Sequence, residues 1–139
     1  MTDVKQILFE LEKTLQQIKG KQSDIFRENN FPVSKDQWLI LERISEKEGS
    51  NQKDIAKDTL KDPAALTRML DLLAEKGLVQ RKASRSDQRT FDLYLTVEGS
   101  RLVNKVSPLT EKFNQSVSKS LSREDKKILL QILANMQDA

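Results

Sequence analysis

The sequence predicts a mainly α-helical fold with one small β-hairpin: six helices, with the hairpin between the fourth and the fifth. Apolar residues recur at steps of three and four over most of the 139 residues, which is the spacing of one helix face. Serine, asparagine and aspartate precede several of these segments, where they would cap helix N-termini. Strand character is confined to residues 78–79 and 91–95, and a polar segment separates the two.

The first two helices are predicted on either side of the segment Asn29-Asn30-Phe31-Pro32, which ends the first. Gly20 weakens the middle of the first helix. The second begins at Ser34, because a serine three residues before Gln37 forms a capping box, and Gly49-Ser50 ends it. The apolar stripe of the first helix consists of Val4, Ile7, Leu8, Leu11, Leu15, Ile18 and Ile25.

The third and fourth helices are short, and the tight turn Leu60-Lys61 joins them. Asn51 caps the third, which spans about 52–59. Asp62-Pro63 begins the fourth, because the carboxylate accepts from a free N–H and proline needs no partner at the first position. Gly77 ends it, as a glycine in a left-handed C-terminal cap does. Two short helices joined in this way predict a helix-turn-helix.

The predicted hairpin follows this pair directly, and the combination is a winged helix. Residues 91–95 alternate apolar and polar side chains, as a strand with one buried face does. Residues 33–96 are therefore predicted to form a winged helix-turn-helix lobe. Long helical segments, residues 1–30 and 97–139, lie on either side of it in the sequence.

Two long helices complete the chain. Thr96 caps the fifth, in which we expect a bend at Pro108. Ser122, with Asp125 three residues later, caps the sixth, whose segment ILLQILANM is apolar almost all round.

Composition excludes most catalytic chemistry. The chain has no cysteine and no histidine, which removes disulfides, thiolate nucleophiles, histidine bases and zinc-finger sites. No cluster of carboxylates is set apart by its spacing, so we expect no catalytic residue, no metal site, no cofactor and no enzymatic activity. No apolar run approaches the roughly 18 residues of a membrane span, and the N-terminus lacks a signal peptide, so the expected location is the cytoplasm.

The outer face of the fourth helix is the candidate for reading DNA bases. Its inward stripe consists of Leu66, Met69, Leu70 and Leu73. The candidate base-reading residues on its outer face are Ala64, Ala65, Thr67 and Arg68. A helix fits the DNA major groove, where alanine permits close approach, threonine offers a hydrogen bond and arginine suits guanine. Such a face is also ordinary helix surface, and the adjacent hairpin favours the DNA interpretation.

The hairpin carries a concentration of positive charge. Residues 76–90 contain five basic residues and a single acid, Asp87. We expect Lys82, Arg85 and Arg89 to contact the DNA backbone or the minor groove, whose negative potential attracts arginine. Asp87 would pair with an arginine and organise the hairpin tip. The alternative is a solvated charged loop with an incidental acid.

These residues together resemble the MarR family of bacterial transcriptional regulators. The resemblance rests on Asp62-Pro63 before the fourth helix, Gly77-Leu78-Val79 after it, Asp87-Gln88-Arg89 in the hairpin, and the segment from Leu95-Thr96 to Gly99. It covers essentially the whole chain, 1–139, as a single domain.

The resemblance implies a homodimer that binds a pseudopalindromic operator in double-stranded DNA. The segments 1–30 and 97–139 would then be the dimerisation helices. The absence of cysteine excludes the peroxide-sensing branch of the family, which depends on a thiol. The apolar termini favour a dimer independently, since one small lobe cannot cover them. The alternative is that they pack on each other within one chain.

The resemblance also implies an effector site between the dimerisation helices and the DNA-binding lobe. Large apolar side chains on the relevant elements predict a small hydrophobic or aromatic ligand, although aromatic residues at helical spacing also form ordinary cores. The candidate ligand-binding residues are Leu11, Leu15, Phe31, Trp38 and Phe113.

The predicted function is a dimeric, sequence-specific DNA-binding transcriptional regulator, a repressor that a small apolar or aromatic ligand releases. The alternative is a winged-helix protein-interaction module without DNA binding. A net charge of only +3 favours the alternative, whereas the basic hairpin and Arg68 favour DNA.

Overall fold

The computed structural model describes residues 3–85 and 89–138. In these residues the predicted order is confirmed, with one additional short strand before the third helix. The elements are α1 (Asp3–Glu28), α2 (Lys35–Glu46), β1 (Ser50–Asn51), α3 (Gln52–Asp58), α4 (Pro63–Glu75), β2 (Val79–Ala83), β3 (Phe91–Leu95), α5 (Val97–Ser118) and α6 (Arg123–Gln137). The chain divides into two compact units, one up to Ser107 and one from Pro108, and the boundary lies within α5.

The predicted helix caps are present. Ser34 Oγ accepts from the Gln37 backbone N–H at 3.1 Å, and the Ser34 N–H donates to Gln37 Oε1 at 3.1 Å. Asp62 Oδ1 accepts from the Ala65 N–H at 2.9 Å, with Pro63 at the first helical position of α4. Each cap satisfies an N–H that has no partner inside its helix, so these helices begin where local chemistry places them.

Neither Gly20, expected to weaken its helix, nor Pro108, where a bend is expected, ends the helix that contains it. α1 runs through Gly20 to Glu28, and α5 runs through Pro108. A glycine inside a helix costs only about 1 kcal/mol relative to alanine, which neighbouring hydrogen bonds outweigh. The first helix ends as predicted, and Asn30 takes the left-handed conformation with φ 52° just after it.

The core of the first unit is built mainly from α2 and α4. Their buried side chains meet Leu93 of β3 and the first half of α5 in one hydrophobic cluster. The fully buried side chains are Ile40, Leu41, Ile44, Ile55, Leu66, Leu70, Leu73, Leu93 and Val106. Because the predicted inward stripe of α4 lies in this cluster, the opposite side of α4 is directed away from the core.

The sheet has three antiparallel strands in the order β1-β3-β2. Leu93 pairs with Ser50 of β1 on one side and with Arg81 of β2 on the other. β1 is only two residues long, so it has no alternation that a sequence pattern could reveal. It attaches the hairpin of β2 and β3, hereafter the wing, to the start of α3.

A tight junction joins the end of α4 to the start of α5. Gly77, with φ +73°, closes α4, and the Leu78 N–H reaches back to the Leu73 carbonyl at 3.0 Å. Thr96 Oγ1 donates to the Gly77 carbonyl at 2.6 Å and accepts from the Gly99 N–H at 3.0 Å. A Cβ at Gly99 would lie 2.1 Å from the Leu78 carbonyl oxygen, so only glycine fits. The junction therefore brings both ends of the wing together.

Candidate nucleic-acid interface

The outer face of α4 presents three of the four predicted base-reading side chains to solvent. Ala64, Thr67 and Arg68 are exposed, and Ala65 is half-buried. Arg68 has no ion-pair partner among the described residues. This face, small at its N-terminal end and basic one turn later, has the shape and charge that close approach to a DNA groove requires.

The hydroxyl of Thr67 is already engaged. It donates to the Pro63 carbonyl at 2.9 Å and accepts from Gln52 Nε2 at 2.9 Å. Gln52 is the first residue of α3 and is separated from Thr67 by 15 positions. The sequence alone does not indicate Gln52, because no periodicity relates a residue of α3 to one of α4.

An ion pair connects α4 to the wing. Arg81 Nη1 of β2 lies 2.7 Å from Asp71 Oδ1 of α4. The Arg81 guanidinium also lies 5.8 Å from the centroid of the Phe91 ring on β3. The sequence predicts neither role. Asp71 lies on the outer side of α4, and Arg81 is only one of the five basic residues of the segment 76–90. Only the packing of β2 beside α4 brings the two charges together.

The predicted wing residues occupy different positions. Lys82 lies within β2 and not at the tip, because β2 extends to Ala83, and its ammonium stands 4.8 Å from the Tyr94 ring centroid. Arg85 and Arg89 are exposed. Side chains alternate along a strand, so Lys82 and Arg81 are on opposite faces of the sheet. Asp87, predicted to organise the tip, lies outside the described residues.

The base of the wing tip, just beyond the last strand pair Ala83 and Phe91, is anchored to the start of α3. Ser84 and Thr90 are both buried, and the Ser84 N–H donates to the Thr90 carbonyl at 3.2 Å. Thr90 Oγ1 is 3.4 Å from Oδ1 of Asn51, the cap of α3. These contacts place Arg85 and Arg89 beyond a fixed base.

A cleft of about 400 Å³ opens between α3, α4 and the wing. Its lining includes Gln52, Thr67, Arg81, Arg89 and Phe91. Residues from three separate elements therefore share one surface, on which positive charge predominates.

Of the five predicted effector residues, Trp38 is in the hydrophobic core of the first unit, and the half-buried Phe31 packs against this core. Trp38 is 2% exposed, and its ring lies tilted by 44° at 6.2 Å from the ring of Phe26, which meets Phe31 edge-on at 5.5 Å. Phe26 was not predicted, although it links the two aromatic rings that were. Leu11 and Leu15 are exposed on α1, and the half-buried Phe113 belongs to the second unit.

The described residues provide little for a metal or for acid–base chemistry. They contain no group of three or more acidic, histidine or cysteine residues that could hold a metal ion. Hydrogen bonds from the backbone and side chain of Ser122 lower the pKa of Asp125, which is the N3 residue of the α6 cap. This shift belongs to a helix cap and indicates no reactive site. Among the described helices, none is long and apolar enough to cross a bilayer.

Known proteins share both the sequence of the lobe and the fold. A sequence model of the MarR family matches residues 33–91. The transcriptional regulator HosA of Escherichia coli O111:H- is 25% identical over 107 residues, 77% of this chain and 79% of that protein.

Two solved structures match nearly the whole chain. The S. aureus MepR–DNA complex has a TM-score of 0.80 at 23% identity, covering 99% of this chain and 98% of that one. AbsC, a MarR family transcriptional regulator from Streptomyces coelicolor, has a TM-score of 0.87 at 22% identity, covering 99% and 95%. The matched residues include the helix-turn-helix and part of the wing, so this region is similar to the MarR family in sequence, and the fold is one that AbsC shares.

Proposed function

We propose that this protein is a dimeric, sequence-specific DNA-binding regulator of transcription that acts in the bacterial cytoplasm. The observation that supports this most directly is the exposed, small and basic outer face of α4 beside a basic wing. The relative HosA is named as a transcriptional regulator, and the matching MepR structure is a complex with DNA. Arg68 would read bases in the major groove, and Arg89 would enter the adjacent minor groove.

Two helices, α1 and α6, each expose apolar surface that supports dimerisation. On α1 the exposed large apolar residues are Val4, Ile7, Leu8, Phe9, Leu11 and Leu15. On α6 they are Ile128, Leu129, Leu130 and Ile132. Monomeric proteins rarely leave contiguous apolar faces in water, so a second copy of the chain is the natural cover. A two-fold dimer would place its two recognition helices on half-sites about 34–36 Å apart.

Selection of binding sites from random duplex DNA tests the proposal. The wild-type protein should enrich a pseudopalindromic site and protect the same site in a footprint of the DNA flanking its coding sequence. Each phosphate that the protein neutralises should add about −0.9 to the slope of log affinity against log salt. A monomer in sedimentation, or affinity without a salt slope, would contradict the proposal.

The proposed regulation is repression, released by a small apolar or aromatic ligand. The aromatic cluster of Phe26, Phe31 and Trp38 lies where α1 meets α2, and Lys105 of α5 stands 5.9 Å from the Phe31 ring centroid. Lys76 at the end of α4 donates to the Pro32 carbonyl at 2.6 Å. A ligand that displaced Phe31 would therefore pull on the recognition helix through the adjacent Pro32.

The energy required of such a ligand is modest. A ligand shifts the protein only by its differential affinity for two conformations. A tenfold loss of operator affinity corresponds to about 1.4 kcal/mol of such preference. An apolar site at Phe31 and Trp38, within the first unit, could supply this amount.

Trp38 is the single tryptophan of the chain, so its fluorescence reports on the proposed site. Phenolic or aromatic carboxylate compounds that release the operator should also quench or shift this emission. In Lys76→Met the same compounds should still perturb Trp38 but release DNA less, because the link to Pro32 is gone. If compounds release DNA without perturbing Trp38, and Trp38→Phe leaves release intact, the effector site is elsewhere.

One observation favours the alternative of a winged-helix protein-interaction module. Leu60, in the turn between α3 and α4, is 93% exposed, which is unusual for a large apolar side chain beside a recognition helix. If selection yields no DNA motif, while Leu60→Ser abolishes binding to a partner protein, that alternative would replace the DNA proposal.

A further inference from the structure

The orientation of the Gln52 amide follows from the single hydroxyl proton of Thr67. That proton is donated to the Pro63 carbonyl at 2.9 Å, so the hydroxyl oxygen can only accept from another neighbour. The neighbour is Gln52, 2.9 Å away, which must therefore turn its Nε2 toward Thr67. The hydrogen-bond network thus distinguishes nitrogen from oxygen in this side chain.

The outward edge of the Gln52 amide remains available. One N–H is used on Thr67, which leaves Oε1 and the second N–H side by side. Within residues 3–85 and 89–138 this amide makes no other hydrogen bond. A half-buried side chain with one end fixed loses little further rotamer entropy when its other end binds a ligand, which favours specific recognition.

Gln52 lies on the same surface as the predicted DNA-binding residues. It lines the cleft between α3, α4 and the wing together with Thr67 and Arg89. The exposed face of α4 begins at Ala64, one turn before Thr67, so a groove that receives this face also meets the Gln52 amide.

We propose that Gln52 reads an adenine in the major groove and that Thr67 is its positioning residue. An acceptor and an N–H side by side match the N6 donor and N7 acceptor of adenine, the pairing that glutamine makes with this base. Thr67, whose proton is committed to Pro63, has no donor left for a base. The inference rests on the proposed function, and it moves one base contact from α4 to α3.

The test measures base preference at every position of the operator that the wild-type protein selects. Gln52→Ala should lower the discrimination for adenine at one position of each half-site by about 5- to 150-fold, with the other positions unchanged. Gln52→Glu should change the preference at that position toward cytosine, whose N4 amino group donates to a carboxylate. Equal weakening on all sequences would show a phosphate contact and overturn the proposal.

Thr67→Val tests the positioning role. It should reduce discrimination at the same position as Gln52→Ala, and the double variant should be no worse than Gln52→Ala alone. Thr59→Val is the matched control. The Thr59 hydroxyl also donates to the carbonyl four residues earlier, that of Ile55, at 2.6 Å, but no glutamine side chain donates to it. This control should leave every preference intact.

The failure of this inference differs from failure of the proposed function. If the wild-type protein selects no motif, the DNA-binding function itself fails. If it selects a motif that Gln52→Ala and Gln52→Glu leave unchanged, DNA binding holds and the assignment of Gln52 is overturned. Additive losses at two different positions for Thr67→Val and Gln52→Ala would show that Thr67 reads a base directly.

Discussion

Asp71 of the recognition helix and Arg81 of the wing are joined by a 2.7 Å ion pair, so the two predicted DNA-reading elements are held side by side. Their side chains are 55% and 26% exposed, respectively. Solvent screening at this exposure keeps the contribution of the pair to stability small. We expect its role to be geometric: the pair would help to hold β2 beside α4 before any DNA is bound.

A double-mutant cycle on this pair should reveal a coupling of about 0.2–1 kcal/mol in urea unfolding. Arg81→Ala should cost more than Asp71→Ala, since it also removes the contact of the guanidinium with the Phe91 ring. Arg101 and Glu98, paired at 2.6 Å on the exposed surface of α5, provide the control. A coupling no larger than that of the control would mean that Asp71 and Arg81 do not hold the wing.

Gly99→Ala should destabilise the protein by about 1–3 kcal/mol, the range for overpacking a filled site. The added Cβ would meet the Leu78 carbonyl oxygen at 2.1 Å, and backbone atoms cannot move aside as a side chain can. Gly20→Ala is the control, because the space around Gly20 is open and alanine should stabilise that helix by about 0.5–1 kcal/mol. Thermal unfolding that shows equal effects at the two glycines would contradict the close approach at Gly99.

Leu60→Asn should raise the stability of the protein, by up to about 1–2 kcal/mol, the cost of a left-handed conformation for an ordinary side chain. Leu60 has φ +56° and buries almost none of its surface, so its replacement sacrifices no packing. The inverse variant, Asn30→Leu, places leucine at φ 52° and should be destabilising. If Leu60→Asn lowers the melting temperature, Leu60 makes a contact that its exposure does not show.

Replacements on the proposed DNA-binding surface should differ in kind. Arg68→Ala should relax base preference by about 1–3 kcal/mol if its contact is bidentate to guanine. Lys82→Ala should weaken all sequences alike, as loss of a phosphate contact does, and Arg89→Ala should cost most on narrow A·T-rich minor grooves. The affinities of the three variants, measured on matched duplexes of different sequence, distinguish these three effects. Operator binding by Arg89→Ala at the wild-type level would refute the wing contact.

Asp87→Ala should also weaken operator binding, although it removes a negative charge near DNA. We expect Asp87 to hold an arginine of the wing tip in place, so its loss leaves the tip less ordered. The affinity of this variant for the selected operator, measured at two salt concentrations, decides the question. Tighter binding would indicate that the carboxylate repels DNA and organises nothing.

Leu130→Glu should dissociate the proposed dimer. Leu130 is 68% exposed on α6, so a charge there should leave the fold of one chain intact while opposing burial against a second copy. Val97→Glu is matched to it, since Val97 is 69% exposed and lies at the start of α5. Sedimentation should give a monomer for the first variant and a dimer for the second. A dimer in both would place the interface away from this part of α6.

The sequence by itself determined the helices, their order and most of their ends. The residues that cap helix ends act on backbone groups within four residues, so their effects can be predicted without the fold. These residues are Ser34, Asp62, Gly77 and Ser122. The inward stripe of α4 was predictable for the same reason, since a period of 3.6 residues is a local property. The resemblance to the MarR family, which the family match confirms, depended on these local signals at fixed spacings.

Only the tertiary structure decided which side chains meet across elements. Three contacts join residues from different parts of the chain, and no periodicity relates their positions. The pairs are Gln52 and Thr67, Asp71 and Arg81, and Lys76 and Pro32. Phe26 and the strand β1 were missed because one aromatic residue and two strand residues give no pattern above background. Hydrogen bonds and ion pairs act over about 3–4 Å, so such contacts exist only after packing has brought distant segments together.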